Sequence, residues 1–272
     1  MSTTKILYKT KKWDKEVNEM KKVKAIDLNL QNIDLCIRQY TNPDSLYGSQ
    51  KVIRDVVSFY HLLGGKYSLF ADKLYLLNAD MNGFLKYIYL SVKSYAMSYE
   101  NEKAGVQITN SAIERAHKTE RNLEEAMFCA ASIGKLELFE QYGNNLGCEI
   151  IKAMYHEDYE KAEELVTQLP DTAEIYEKEK YWASYCYESK YLKALYQTIL
   201  SKDEKAFNKA LADRIKFIRK GYVMPVDVVS VTMIKFARKL GMDYNFDVIE
   251  IPKALLEDLS DVPFEDYQLP EV

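Results

Sequence analysis

Apolar residues along this chain recur at intervals of three and four, and almost never alternate. Ile53, Val56, Val57, Tyr60 and Leu63 form one such stripe, and Val226, Val229, Met233, Ile234, Ala237 and Leu240 form another. That spacing collects them on one face of a helix with 3.6 residues per turn. The second stripe also carries Lys235, Arg238 and Lys239 just before Gly241, the charge placement favoured at the negative end of a helix dipole. Phe246–Ile251 alone alternates, so at most one short strand is expected near 246–251, and the same segment could equally be extended chain lying on a helix.

Proline and glycine punctuate this pattern. Asn42-Pro43 and Met224-Pro225 read as helix starts, and Gly64-Gly65, Gly134, Gly143, Gly221 and Gly241 as helix stops. Ser111 with Glu114, Asp171 with Glu174, and Ser201 with Glu204 have the spacing of capping boxes. Helices are therefore expected near 14–24, 27–40, 43–63, 67–78, 82–100, 110–132, 135–142, 145–155, 158–168, 172–199, 202–220 and 225–240. An internal echo joins Ala153–Ala162 to Thr198–Ala206: each is a helix end, a turn holding Asp, then Glu-Lys-Ala opening the next helix. The expected fold is all-α, with antiparallel helical hairpins stacked in the solenoid-like manner of tetratricopeptide arrays. Its expected centre is 172–199, where Tyr181, Trp182, Tyr185, Tyr187, Leu192, Leu195 and Tyr196 leave little of the circumference polar.

Composition narrows the class without naming it. Apolar residues make up 47% of 272, enough for a full core, and a net charge of −4 excludes both a supercharged nucleic-acid binder and a disordered chain. A single domain over 1–272 is expected, divisible into an N-terminal half at 1–105, a hairpin half at 106–257 and an acidic tail at 258–272. No window approaches the roughly 18 uninterrupted apolar residues of a membrane span. Without a signal-peptide pattern at its start, the chain is expected to be cytoplasmic, with no membrane and no nucleic acid among its partners.

Candidate chemistry is sparse. Cys36, Cys129, Cys148 and Cys186 stand singly among apolar neighbours and read as buried reduced thiols. The three histidines, His61, His117 and His156, are far apart, and no pattern for metal, phosphate loop or serine nucleophile occurs, so no cofactor and no metal are expected. One pair stands out. Arg54 and His61, with six residues between them, resemble the arginine–histidine motif of the all-helical HEPN ribonucleases, in which imidazole moves a proton and guanidinium meets phosphate charge. The intervening Val56, Val57, Phe59 and Tyr60 are also what a core stripe requires.

Charge is uneven at the two ends. The first 24 residues hold eight lysines against three acids, and Glu257–Val272 hold six acids and no base. Asp258, Asp261, Glu265 and Asp266, with Tyr267 among them, are therefore the candidate contacts to a basic partner. The second half carries a further resemblance. The acidic turn in Met154–Ala162, the Trp/Tyr/Ala-rich helix through Tyr181-Trp182-Ala183, Ala206–Leu211, the helix closing at Ala237–Gly241, and Ile251-Pro252-Lys253-Ala254-Leu255-Leu256 follow in an order similar to the immunity protein 49 family of bacterial polymorphic toxin systems. The similarity spans roughly 150–257, and the Gly-Asp turn usual in that family is here Glu157-Asp158 and Lys202-Asp203. Another helical immunity family, guarding against PoNe-type DNase toxins, shares some of the same closing features. The resemblance implies a non-enzymatic antidote that binds and neutralises a cognate protein toxin. A helical-repeat scaffold and a HEPN-like ribonuclease are the alternatives.

Overall fold

The computed structural model describes residue 15 and residues 55–117, 120–169, 183–218, 226–245 and 247–270. Within them lie ten α-helices and no strand: α1 Val56–Lys73, α2 Met81–Lys103, α3 Ser111–His117, α4 Glu120–Ser132, α5 Leu146–Tyr155, α6 Tyr159–Thr167, α7 Ala183–Leu200, α8 Glu204–Phe217, α9 Val228–Lys239 and α10 Lys253–Leu256. The expected helix at 27–40, nearly all of that at 14–24, and Asp171, Glu174, Gly221 and Pro225 lie outside the described residues. Short π and 3-10 turns at Leu74–Asn78, Leu136–Phe139 and Phe264–Asp266 join or follow the helices. The helix expected over 135–142 is only the middle one of these turns. The helix expected over 110–132 is found as α3 and α4, with 118–119 outside the described residues.

The first correction concerns Gly64-Gly65. These glycines do not stop a helix: α1 runs through them. They admit a neighbour instead. A methyl group at Gly64 would lie 3.0 Å from the Tyr95 ring, and the Gly64 carbonyl accepts from Ser91 Oγ at 2.8 Å. Ser98 Oγ meets the Val57 carbonyl, also at 2.8 Å. Seven residues forward on α2 thus correspond to seven back on α1, which makes the pair an antiparallel hairpin in close contact.

Three turns share one construction. Ala79, Glu157 and Lys202 take positive φ of 53°, 63° and 54°, and the aspartate after each caps the next helix. Asp80 accepts from the Gly83 N–H at 2.9 Å, Asp158 from Lys161 at 3.2 Å and Asp203 from Ala206 at 2.9 Å. The backbone N–H groups of Asp158 and Asp203 also reach back to the carbonyls of Ala153 and Thr198, closing the preceding helix with six-residue loops. The internal echo is therefore a repeated turn, capped by Asp203 and not by Ser201. At α3 the cap is likewise Asn110, one residue before Ser111, with Oδ1 accepting from the Ala112 N–H at 3.0 Å.

Packing follows chain order from α4 to α8, each helix touching the next. The stack does not stay one-dimensional. α9 returns to lie against α4 and α7, and α10 against α2 and α9. A single apolar core consequently runs from Ala71 in α1 to Phe264 near the C-terminus. Of the expected centre at 172–199, residues 172–182 lie outside the described residues. In α7 Leu195, Tyr196 and Ile199 are buried while Gln197 is exposed, so this end of the helix has one buried face. Helix α9 comes closer to apolar burial all round, with Ser230 through Ile234, Phe236 and Ala237 all buried.

Donors on α9 reach the ends of three other helices. Lys235 Nζ bonds the Ser132 carbonyl ending α4 at 2.6 Å, Lys239 Nζ the Tyr155 carbonyl ending α5 at 2.7 Å, and Arg238 Nη1 the Leu256 carbonyl ending α10 at 3.1 Å. Each satisfies a carbonyl that its own helix leaves without a partner. Burial, with Arg238 nearby, draws the Lys235 amine down to about 8 against the opposing pull of Asp258. At its other end α9 is capped by Asp227, which is 2% exposed and accepts from the Ser230 N–H at 3.2 Å and from the Ser230 hydroxyl. Arg214 of α8, 1% exposed, grips the same carboxylate through Nε at 3.0 Å and Nη2 at 2.9 Å.

The segment that alternates in sequence, 246–251, is neither strand nor fully extended chain over its described residues: 248–251 close a turn, the Ile251 N–H donating to the Val248 carbonyl at 3.3 Å. Phe246 lies outside the described residues. The Ile249 carbonyl accepts from Tyr75 Oη at 2.9 Å, the Glu250 carbonyl from the Asp227 N–H at 2.8 Å, and Ile249 and Ile251 join the core.

Candidate functional site

Two places bring together side chains that could act. The first is a histidine cluster between α1, α2 and α3. Asp55 caps α1 and also accepts from the N–H and hydroxyl of Thr109, which ties the start of α3 to the start of α1. This brings His61 and His117 to a ring separation of 5.0 Å, with Tyr95 edge-on to His61 and Tyr99 stacked on His117 at 4.4 Å. Burial, reinforced by His117, pulls the His61 imidazole down to about 4, and its Nδ1 meets no hydrogen-bond partner among the described residues. Arg54, the other half of the ribonuclease-like pair, lies outside the described residues.

Around His117 the sequence reading missed a constellation. Nδ1 stands 2.5 Å from Glu102 Oε2 and Nε2 stands 2.8 Å from Ser98 Oγ. Serine, histidine and carboxylate in that order have the shape of a nucleophilic relay. The Ser98 Oγ also lies 2.8 Å from the Val57 carbonyl, so its proton goes to that carbonyl or to Nε2 according to the tautomer of His117. Ser98 is also fully buried. What the three residues do here is fasten α3 to the α1–α2 hairpin. Ser98 and Glu102 are four apart on one helix, which a reader can see in the sequence, but nothing in the sequence brings His117 to them.

The second place is the acidic tail. It lies as a strap across α2. Leu259, Val262, Phe264, Tyr267 and Leu269 pack inward, while Asp258, Asp261, Glu265 and Asp266 face water. Phe264 is 2% exposed and stacks on Tyr89 at 5.1 Å between ring centres. Glu265 meets Lys135 Nζ at 2.7 Å and Tyr89 Oη at 3.4 Å. The Lys135 hydrogen bond and charge hold the Glu265 carboxyl below its ordinary range, and the same bond holds the Lys135 amine above its own. Lys93 Nζ donates to the Tyr267 carbonyl at 3.2 Å, Tyr60 Oη to the Pro270 carbonyl at 3.2 Å, and Lys86 lies 5.5 Å over the Tyr267 ring. Of the five expected contact residues, Glu265 and Tyr267 thus engage the chain's own lysines, and Asp258, Asp261 and Asp266 are exposed, Asp258 while also accepting from the Ser260 N–H at 3.0 Å.

The face under the strap also escaped the sequence reading, although a signal existed. Lys86, Tyr89 and Lys93 are three and four residues apart and so share one side of α2.

Among the described residues no group of three or more His, Cys, Asp or Glu side chains could hold a metal ion, and no helix is long and apolar enough to cross a membrane. Cys148 is fully buried, and burial raises the Cys129 thiol to about 12; the other two cysteine side chains are outside the description. No family model matches the chain, and neither a curated protein nor a solved structure matches it.

Proposed function

We propose that this protein is an immunity protein, which neutralises a cognate toxin by covering a cationic surface with its acidic strap. The observation that carries the reading is the strap's two-sidedness. Phe264, Tyr267 and Leu269 anchor it, so Asp258, Asp261 and Asp266 stand on backbone that is already ordered. Carboxylates held in place meet a basic partner at a smaller entropic cost than those on a free tail, and their like charge speeds encounter. The two turns at Glu157-Asp158 and Lys202-Asp203 support the family resemblance. Both Glu157 and Lys202 adopt the left-handed conformation that glycine takes most easily, so each stands where a Gly-Asp turn would place its glycine.

Co-expression with a toxin encoded beside this chain's gene tests the reading. Rescue of growth and co-purification are expected, and replacing Asp258, Asp261 and Asp266 together by lysine should weaken the complex at least tenfold. If the wild-type chain neither rescues cells nor co-purifies, the immunity function is wrong. If it does both and the triple variant binds unchanged, the strap is the wrong surface.

A further inference from the structure

The α2 face beneath the strap is built to hold a peptide, and little in its construction requires that the peptide be this chain's own. Two of its polar contacts, Lys93 to the Tyr267 carbonyl and Tyr60 to the Pro270 carbonyl, go to backbone that any peptide carries. Sequence is read at three points. Tyr89 offers a flat ring on which Phe264 stacks, Lys135 takes one carboxylate in the residue that follows, and Lys86 covers a second aromatic ring three residues beyond the first. Lys135 also lies 5.9 Å over the Phe264 ring, so one cation serves both the ring and the acid. The 3-10 turn at Phe264–Asp266 sets the ring and the acid side by side, so that a short turned segment meets Tyr89 and Lys135 together.

We infer that this face is a docking site for an aromatic–acidic segment of another protein, of the pattern Phe-Glu-x-Tyr held in a single 3-10 turn, and that the chain's own residues 258–270 occupy it as a resident competitor. Tethering gives the resident a local concentration near the millimolar range, so an incoming segment prevails only when it binds more tightly or when the strap is drawn away. The inference does not depend on the immunity reading, because it concerns the inner side of the strap and not its outward carboxylates.

The test uses the full chain and a fluorescein-labelled peptide with the sequence of residues 258–270. In anisotropy titrations, the variant Phe264→Ala/Tyr267→Ala, whose resident strap has lost its anchors, should bind the probe at least tenfold more tightly than wild type. Adding Lys93→Glu/Lys135→Glu to that variant should reverse the gain at least tenfold, and a probe carrying Phe264→Ala should not bind. Equal binding by wild type and the loosened variant, or binding indifferent to the lysine reversals, would overturn the inference. A loosened chain that dimerises in place of taking the probe would give the face to a second copy and also overturn it. Should the loosened variant not fold, a protease site inserted between Glu257 and Asp258 of the otherwise unchanged chain is cut after folding. The released strap should then exchange with the probe, and failure to exchange would count against the inference equally.

Discussion

Replacing Asp227 by asparagine keeps the side chain's size and removes one charge. The carboxylate is 2% exposed, takes two hydrogen bonds from Arg214, which is 1% exposed, and two more from Ser230. An asparagine offers one acceptor oxygen and turns an N–H₂ donor toward either Nε or Nη2 of the guanidinium. Arg214 then keeps its buried charge without this carboxylate, and breaking a buried pair on one side costs about 3–5 kcal/mol. Against a total stability of roughly 5–15 kcal/mol, that is a fifth or more of what holds the chain folded. With a urea dependence near 3 kcal/mol per molar, the helical signal in circular dichroism should lose its midpoint by about 1–1.7 M. Arg214→Met in the same chain removes the buried charge and fills its place with an apolar side chain of similar length. The double variant should therefore be more stable than Asp227→Asn alone. A midpoint shift below about 0.3 M, or a double variant whose loss is the sum of the two single losses, would refute the account of this pair as mutually dependent.

The His61 imidazole titrates near 4 in the folded chain against an ordinary 6.5. The unfolded chain therefore binds the extra proton first as pH falls, and stability should decline between pH 6.5 and 4 by about 3 kcal/mol from this group. His61→Leu should remove that part of the slope in urea midpoints taken across the same range, and an unchanged slope would contradict it. Lys202→Gly should raise stability by about 0.5 kcal/mol in the same assay, because relief of a left-handed strain of about 1–2 kcal/mol exceeds the entropy that glycine adds to the unfolded chain; a loss would show the turn is not strained. Gly64→Ala should cost about 1–3 kcal/mol despite alanine's better helix propensity, since its methyl would meet the body of the Tyr95 ring. A gain in melting temperature for that variant would mean the ring yields.

The helical pattern was legible because the apolar period survives in both faces that pack, as at Val57, Tyr60 and Leu63. Gly64-Gly65 misled for a physical reason: a glycine that ends a helix and one that admits a neighbouring ring look alike until the neighbour is placed. Tertiary packing on Tyr95 outweighed glycine's modest local penalty. The burial of α9 was similarly hidden, because it carries Ser230 and Thr232 among its buried residues and these look polar in the sequence. Their hydroxyls are satisfied by the Asp227 carboxylate and the Phe128 carbonyl, partners that only folding supplies. For the strap, charge in the sequence pointed to the five residues 258, 261, 265, 266 and 267. It could not divide them into two that face the chain's own lysines and three that face outward, since Lys135 is 130 positions from Glu265.

The basic last turn of α9 has a consequence for the order in which the molecule can be completed. The carbonyls at the ends of α4 and α5 wait for Lys235 and Lys239, which lie 103 and 84 positions further along. On a ribosome adding roughly 5–20 residues each second, α4 and α5 would emerge several seconds before these donors exist. Throughout that interval the first half of the chain has helices with open ends and an uncovered apolar side against which α9 will later lie. Synthesis therefore passes through a vulnerable stretch that closes when one helix arrives and finishes two earlier ones. A stop before residue 239 would leave an unfinished body exposed to proteases and chaperones.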